Sequence, residues 1–100
     1  MEISTSSNTV TIIGNIKSVG DFQLIKSTID PLKVSHNNII IDIKDSLSVT
    51  SSVIGYLNKL VLKDKITLQV KVGNEQLITL LDELHLTEVF KARKVLTFNA

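Results

Sequence analysis

The side chains able to carry chemistry in this sequence are few and scattered. His36 and His85 are its only histidines, and no cysteine accompanies them. Zinc wants three or four nitrogen or thiolate ligands held close together, so no metal site is expected. His85, between Leu84 and Leu86, reads as a helix-end residue complementing the C-terminal dipole. Neither histidine is assigned a function. Asp42 and Asp45 flank the end of an apolar segment, where α/β proteins often place Mg²⁺ ligands or nucleophiles. With no second acidic pair and no glycine-rich loop nearby, Asp42 reads as a structural residue pairing with a backbone N–H or capping a turn. The glycine-rich dinucleotide and nucleotide patterns and the hydrolase serine elbow are missing. Neither an enzyme nor a cofactor is expected. What stands out is Thr50-Ser51-Ser52, three hydroxyls at a predicted helix start. Free N–H groups at the positive end of a helix dipole stabilise an added phosphate, but Ser and Thr are also common caps. On chemistry alone both readings stay open.

The elements that must position these residues follow from periodicity. Met1 to Thr5 and the β-branched run Thr9 to Ile13, separated by Ser6-Ser7-Asn8, predict a short hairpin. Ser18-Val19-Gly20-Asp21 fits a capping box opening a first helix over residues 19 to 30, with Phe22, Ile25, Ile29 and Leu32 on its buried face and Pro31 as its end. Ile39-Ile40-Ile41-Asp42-Ile43 is almost continuously apolar and predicts a central strand covered on both faces. Ile54, Leu57, Leu60 and Val61 mark a second helix from about residue 52 to 62. Ile66 to Val72 alternates as a strand. Gly73-Asn74 opens a third helix with Leu77, Leu80, Leu81 and Leu84 on one side, and Val95 to Phe98 predicts a last short strand. Leu57, Leu80 and Leu84 are expected in the core. The order β-β-α-β-α-β-α-β calls for right-handed crossovers and a mixed, mostly parallel sheet, an α/β fold.

Composition agrees with that class. At 100 residues the chain is read as one domain spanning 1–100, with Ile, Leu and Val dominating its apolar residues and no disulfide possible. The formal charge is +1, with 11 basic and 10 acidic residues mixed along the chain, so no basic field points to nucleic acid. No apolar run approaches the roughly 20 residues of a membrane span, and Met1 to Asn8 is too polar for a signal peptide, which predicts a soluble cytoplasmic protein without direct membrane insertion.

Three blocks carry a family resemblance. Ile39-Ile40-Ile41-Asp42-Ile43 is similar to an apolar strand ending in Asp-Leu. Ser48-Val49-Thr50-Ser51-Ser52-Val53-Ile54-Gly55 is similar to a Phe-Ile-Asp-Ser-Ser-Gly-Leu-Gly loop and helix start. Leu80-Leu81-Asp82-Glu83-Leu84-His85-Leu86-Thr87-Glu88-Val89-Phe90 is similar to a Leu-Leu-x-x-x-Gly-Leu-x-x-Val-Phe signature. A weaker fourth block, Ile12-Ile13-Gly14-Asn15-Ile16, resembles a Leu-x-Gly-x-Leu strand end. In this order, over residues 10 to 98, they resemble the STAS domains, the family of bacterial anti-anti-sigma factors and of the cytoplasmic tails of sulfate transporters. The element order derived above is the one this resemblance implies.

The resemblance implies a binding module that works by partner switching. The family's acceptor serine falls on Ser51, with Ser52 the second of the pair, and the kinase that phosphorylates it is itself the anti-sigma factor. Thr50 stands where the family has Asp, Val53 where it has Gly, and Lys17 where an acidic residue usually follows the strand end. The function expected is that of a non-enzymatic anti-sigma factor antagonist, a phosphoprotein acting in regulation of transcription. Its partner, an anti-sigma factor or serine kinase, would bind through Thr50, Ser51, Ser52, Val53 and Tyr56. The alternative is a constitutive STAS-type scaffold, such as a subunit of a membrane transport complex, that keeps the binding surface without the switch.

Overall fold

Residues 1–95 are described in a computed structural model of the chain. Five strands and three helices follow one another as β1 (Glu2–Ser6), β2 (Thr9–Ile13), α1 (Val19–Ser35), β3 (Asn38–Lys44), α2 (Ser51–Leu62), β4 (Thr67–Val72), α3 (Glu75–Glu83) and β5 (Arg93–Lys94). The sheet order is β1-β2-β3-β4-β5, with β1 antiparallel to β2 and every other neighbour parallel. The predicted α/β class, mixed and mostly parallel, is therefore the observed one. Residues 95 to 98 were expected to form the last strand. The pairing lies two residues earlier, at Arg93–Lys94, and residues 96–98 lie outside the described ones.

Three crossovers that step in the same direction along the sheet place their helices on the same face when all are right-handed. Burial along the strands shows that single covered face. Val10 and Ile12 of β2, Ile39, Ile41 and Ile43 of β3, and Leu68, Val70 and Val72 of β4 are buried in register beneath the helices. They meet Ile25 and Ile29 of α1, Val53, Leu57 and Leu60 of α2, and Leu77 and Leu81 of α3 in one core. Residues of the opposite parity, Thr11, Ile40, Asp42, Gln69 and Lys71, stay half-buried on the other face. This corrects the expectation that β3 is covered on both sides. A run of five apolar or nearly apolar residues does not reveal which alternate positions lack a covering layer.

Two helix ends differ from the sequence reading. The capping box at α1 forms as expected, with the Ser18 hydroxyl accepting from the Asp21 N–H at 3.0 Å and the Asp21 carboxylate accepting from the Ser18 N–H at 3.3 Å. The helix does not stop at Pro31, however, but runs on to Ser35. Proline removes one intrahelical donor and crowds the preceding turn. The last turn is nevertheless held by Leu32, which packs against the core, and by Lys33, whose ammonium lies 3.2 Å from Asp64 and 3.6 Å from Asp30. At α3, Leu77 and Leu81 are buried and Leu80 only half so, while Leu84 is the C-cap and 46% exposed. Leu84 is thus not a core residue, because the helix ends before the residue that its heptad-like spacing pointed to. Leu57 is buried as expected.

Candidate functional site

The parallel strands β2, β3 and β4 end at one edge of the sheet, and their outgoing loops meet there. That edge is the usual location of sites in open α/β sheets. The loops are tied together by short hydrogen bonds. The Gly14 N–H donates to the Lys44 carbonyl at 3.0 Å, the Leu47 N–H to Asn15 Oδ1 at 3.0 Å, and the Gly73 N–H to the Ile43 carbonyl at 3.0 Å. Gly14 has φ +95°, a conformation that side-chain-bearing residues rarely adopt. Asp45 also has positive φ, at +57°. The next residue, Ser46, is buried, and its hydroxyl donates to the Ser48 carbonyl at 2.9 Å. The approach to α2 is thus an ordered turn, with Val49 anchored against the core.

Thr50 is the N-cap of α2, its hydroxyl accepting from the Val53 N–H at 3.3 Å. Capping is therefore the task of Thr50, and Ser51 and Ser52, which follow it in the first turn, are exposed. Val53 is 1% exposed and Tyr56 7%, both turned into the core. They were expected on the partner-binding surface, and this corrects that assignment, since neither side chain presents a face to a partner. The surface they leave is Ser51, Ser52 and Gly55. Gly55 lies one helical turn beyond Ser51 on the same side, and a Cβ built on it would meet nothing within 4 Å. A mid-helix glycine costs about 0.5–1 kcal/mol relative to alanine, and neither packing nor φ demands it here. Sequence pattern alone does not place Gly55 on the surface. Its openness depends on which side of α2 faces the sheet, and spacing alone leaves that loose.

Tyr56 works between helices. Its hydroxyl donates to Asp30 of α1, its ring meets Phe22 edge-on at 6.2 Å between centroids, and the Lys26 ammonium stands 5.8 Å from the ring centre. Burial pushes the phenol well above its ordinary range, and the hydrogen bond to Asp30 adds to this. Partial burial also pushes Asp30 up. The Lys26 and Tyr56 hydrogen bonds and the charges of Lys26 and Lys33 outweigh it, so the carboxyl lies below the usual carboxylate range. This network fastens α1 to α2 and thereby fixes how the first turn of α2 is presented.

The remaining candidates stand apart from this edge. His36 is the C-cap of α1, and His85 lies just beyond the C-cap of α3. Among the described residues Asp42 neither caps a turn nor pairs with a backbone N–H. It sits on the uncovered face with Lys44 3.9 Å away, and its buried Oδ1 has no hydrogen-bond partner among those residues. Among the described residues no three His, Asp or Glu side chains are grouped to hold a metal, and no helix is long and apolar enough to cross a membrane. Compared with models of known protein families, with curated proteins and with solved structures, the chain matches none.

Proposed function

We propose that this chain is a non-enzymatic, cytoplasmic regulatory module of the STAS, anti-sigma-factor-antagonist type. It binds a protein partner through the first turns of α2 and the neighbouring loops and is switched by phosphorylation of Ser51. The observation that carries this reading is the exposed row of Ser51, Ser52 and Gly55 on a helix start whose cap is already supplied by Thr50. Ser51 is thereby free for modification, and Gly55 leaves bare backbone for close approach. Thr50 and Val53, the two departures from the family pattern that flank the Ser51-Ser52 pair, are compatible with it. Thr50 still caps, and the Val53 side chain points inward, away from an approaching kinase. Phosphate on Ser51 adds about −1.5 to −2 charges that a docked partner would have to desolvate.

Ser51→Glu tests the mechanism on the purified protein and its partner. An acid in the first turn suits the helix dipole, so stability in urea should be almost unchanged. Partner affinity should fall by about 1 to 3 kcal/mol, as for a charge pressed into an interface not built to pair it. Ser51→Ala should bind like the natural protein. Equal binding by Ser51→Glu would favour the constitutive scaffold.

A further inference from the structure

A second surface lies beside the first. An open groove of about 610 Å³ runs between Leu47, in the loop leading to α2, and the outer side of α3, where it is lined by Glu75, Gln76, Thr79, Leu80 and Glu83. Leu47 is 49% exposed, and Leu84, one turn beyond Leu80, is 46% exposed. Among the described residues no lysine or arginine lines the groove. Lys94 stands 3.5 Å from Glu75, whereas Glu83 has no ion-pair partner among the described residues. The charge is one-sided along the whole segment. From Asn74 to Phe90 the acids are Glu75, Asp82, Glu83 and Glu88, with no Lys or Arg among them. Asp82 and Glu83 fall in the last turn of α3, which carries no basic residue. Acids at the negative pole of a helix dipole weaken the helix, so they work against the fold that contains them.

We propose that this groove is a docking site for a basic amphipathic helix of a protein partner. Leucines on the incoming segment would pack on Leu47 and Leu80, and its lysines or arginines would face Glu83 and the C-terminal pole of α3. Side chains of a helix and a loop line the groove, and they offer no strand edge to pair with an extended chain. A helix suits it, because a helix satisfies its own backbone and needs no strand edge to pair with. This goes beyond the switch at Ser51 and does not depend on it, since Ser51 does not line the groove.

A labelled leucine–lysine amphipathic peptide of about 14 residues, roughly four helical turns, serves as the probe, with its leucine–glutamate counterpart as control. Fluorescence anisotropy with the full chain should show saturable binding of the basic probe and none of the acidic one. Glu83→Lys and Leu47→Ser, both at exposed positions, should each weaken binding by about tenfold, while Glu2→Lys on the distant edge strand should change it less than about threefold. Ser51→Glu should leave it unchanged, so a failure of the phosphorylation switch and a failure of this docking site are read separately. Absence of binding by the basic probe, or weakening by Glu2→Lys equal to that by Glu83→Lys, would overturn the proposal.

Discussion

His85 adopts φ +59°, a left-handed conformation in which any residue with a Cβ is strained. It does so to close α3. The His85 N–H donates to the Asp82 carbonyl at 3.0 Å and the Leu86 N–H to the Leu81 carbonyl at 2.9 Å, the paired bonds of a Schellman cap, with Leu86 packed against the core. This is the position at which the resembled signature carries glycine. His85→Gly should therefore stabilise the protein, by about 0.5–1 kcal/mol in urea titrations. A loss of stability would show that the imidazole holds the helix end through its dipole, as the sequence alone suggested. Ser51 and Thr50 show the same limit of residue-level reading. The sequence marked three hydroxyls, but only the hydrogen bond to Val53 shows which one is used up in capping.

Among the elements, α3 shows where periodicity stops being informative. Its four leucines recur at helical spacing, yet the helix spans only Glu75–Glu83, so Leu77 and Leu81 face the core and Leu84 turns out with the cap. Leu81→Ala, like Leu57→Ala on α2, should cost about 2 to 5 kcal/mol. Leu84→Ala should cost less than about 0.5 kcal/mol, as expected of a surface change. Comparable losses at Leu81 and Leu84 would mean that the helix continues one turn further. In α1 the failure is of the opposite kind. Pro31 is a strong local stop signal, overruled by Leu32 packing and by the Lys33 bridge to Asp64, a residue 31 positions away in the chain. Such contacts cannot be read from a local window. The hairpin, the capping box at Ser18 and the strand–helix alternation were legible because each is encoded within a few residues.

For the whole molecule, the α1–α2 network, the Lys33–Asp64 pair and the α1 capping box should together shape how stability depends on pH. Asp30 and Asp21 lie below the usual carboxylate range, Asp21 chiefly through its hydrogen bond from the Lys17 N–H. Their contribution is present above the unfolded value of about 4 and is lost as pH falls through the lower folded values. Lys33 lies above its ordinary range, through the Asp64 hydrogen bond foremost, and Tyr56 is raised by burial. Both contributions are complete below about pH 10 and are lost as pH rises beyond it. Stability should thus be level from about pH 5 to 9 and fall at both ends, and Tyr56→Phe should make the alkaline fall shallower. An alkaline limb unchanged in Tyr56→Phe would remove the phenol from this account.

The sheet topology brings the loops after β2, β3 and β4 to one edge, and the same topology leaves the far side of the sheet uncovered. The α/β class was legible in the alternation of elements, whereas the single helical layer was not, because it depends on the direction of each crossover. On that edge Ser51 is exposed at a helix start already capped by Thr50, and it is the acceptor proposed above. Phosphopeptide mass spectrometry of the loop and first turn of α2, on protein isolated from its own cells across growth conditions, tests this most directly. The expected result is phosphate on Ser51 in some conditions and not in others. A loop unmodified in every condition would contradict it.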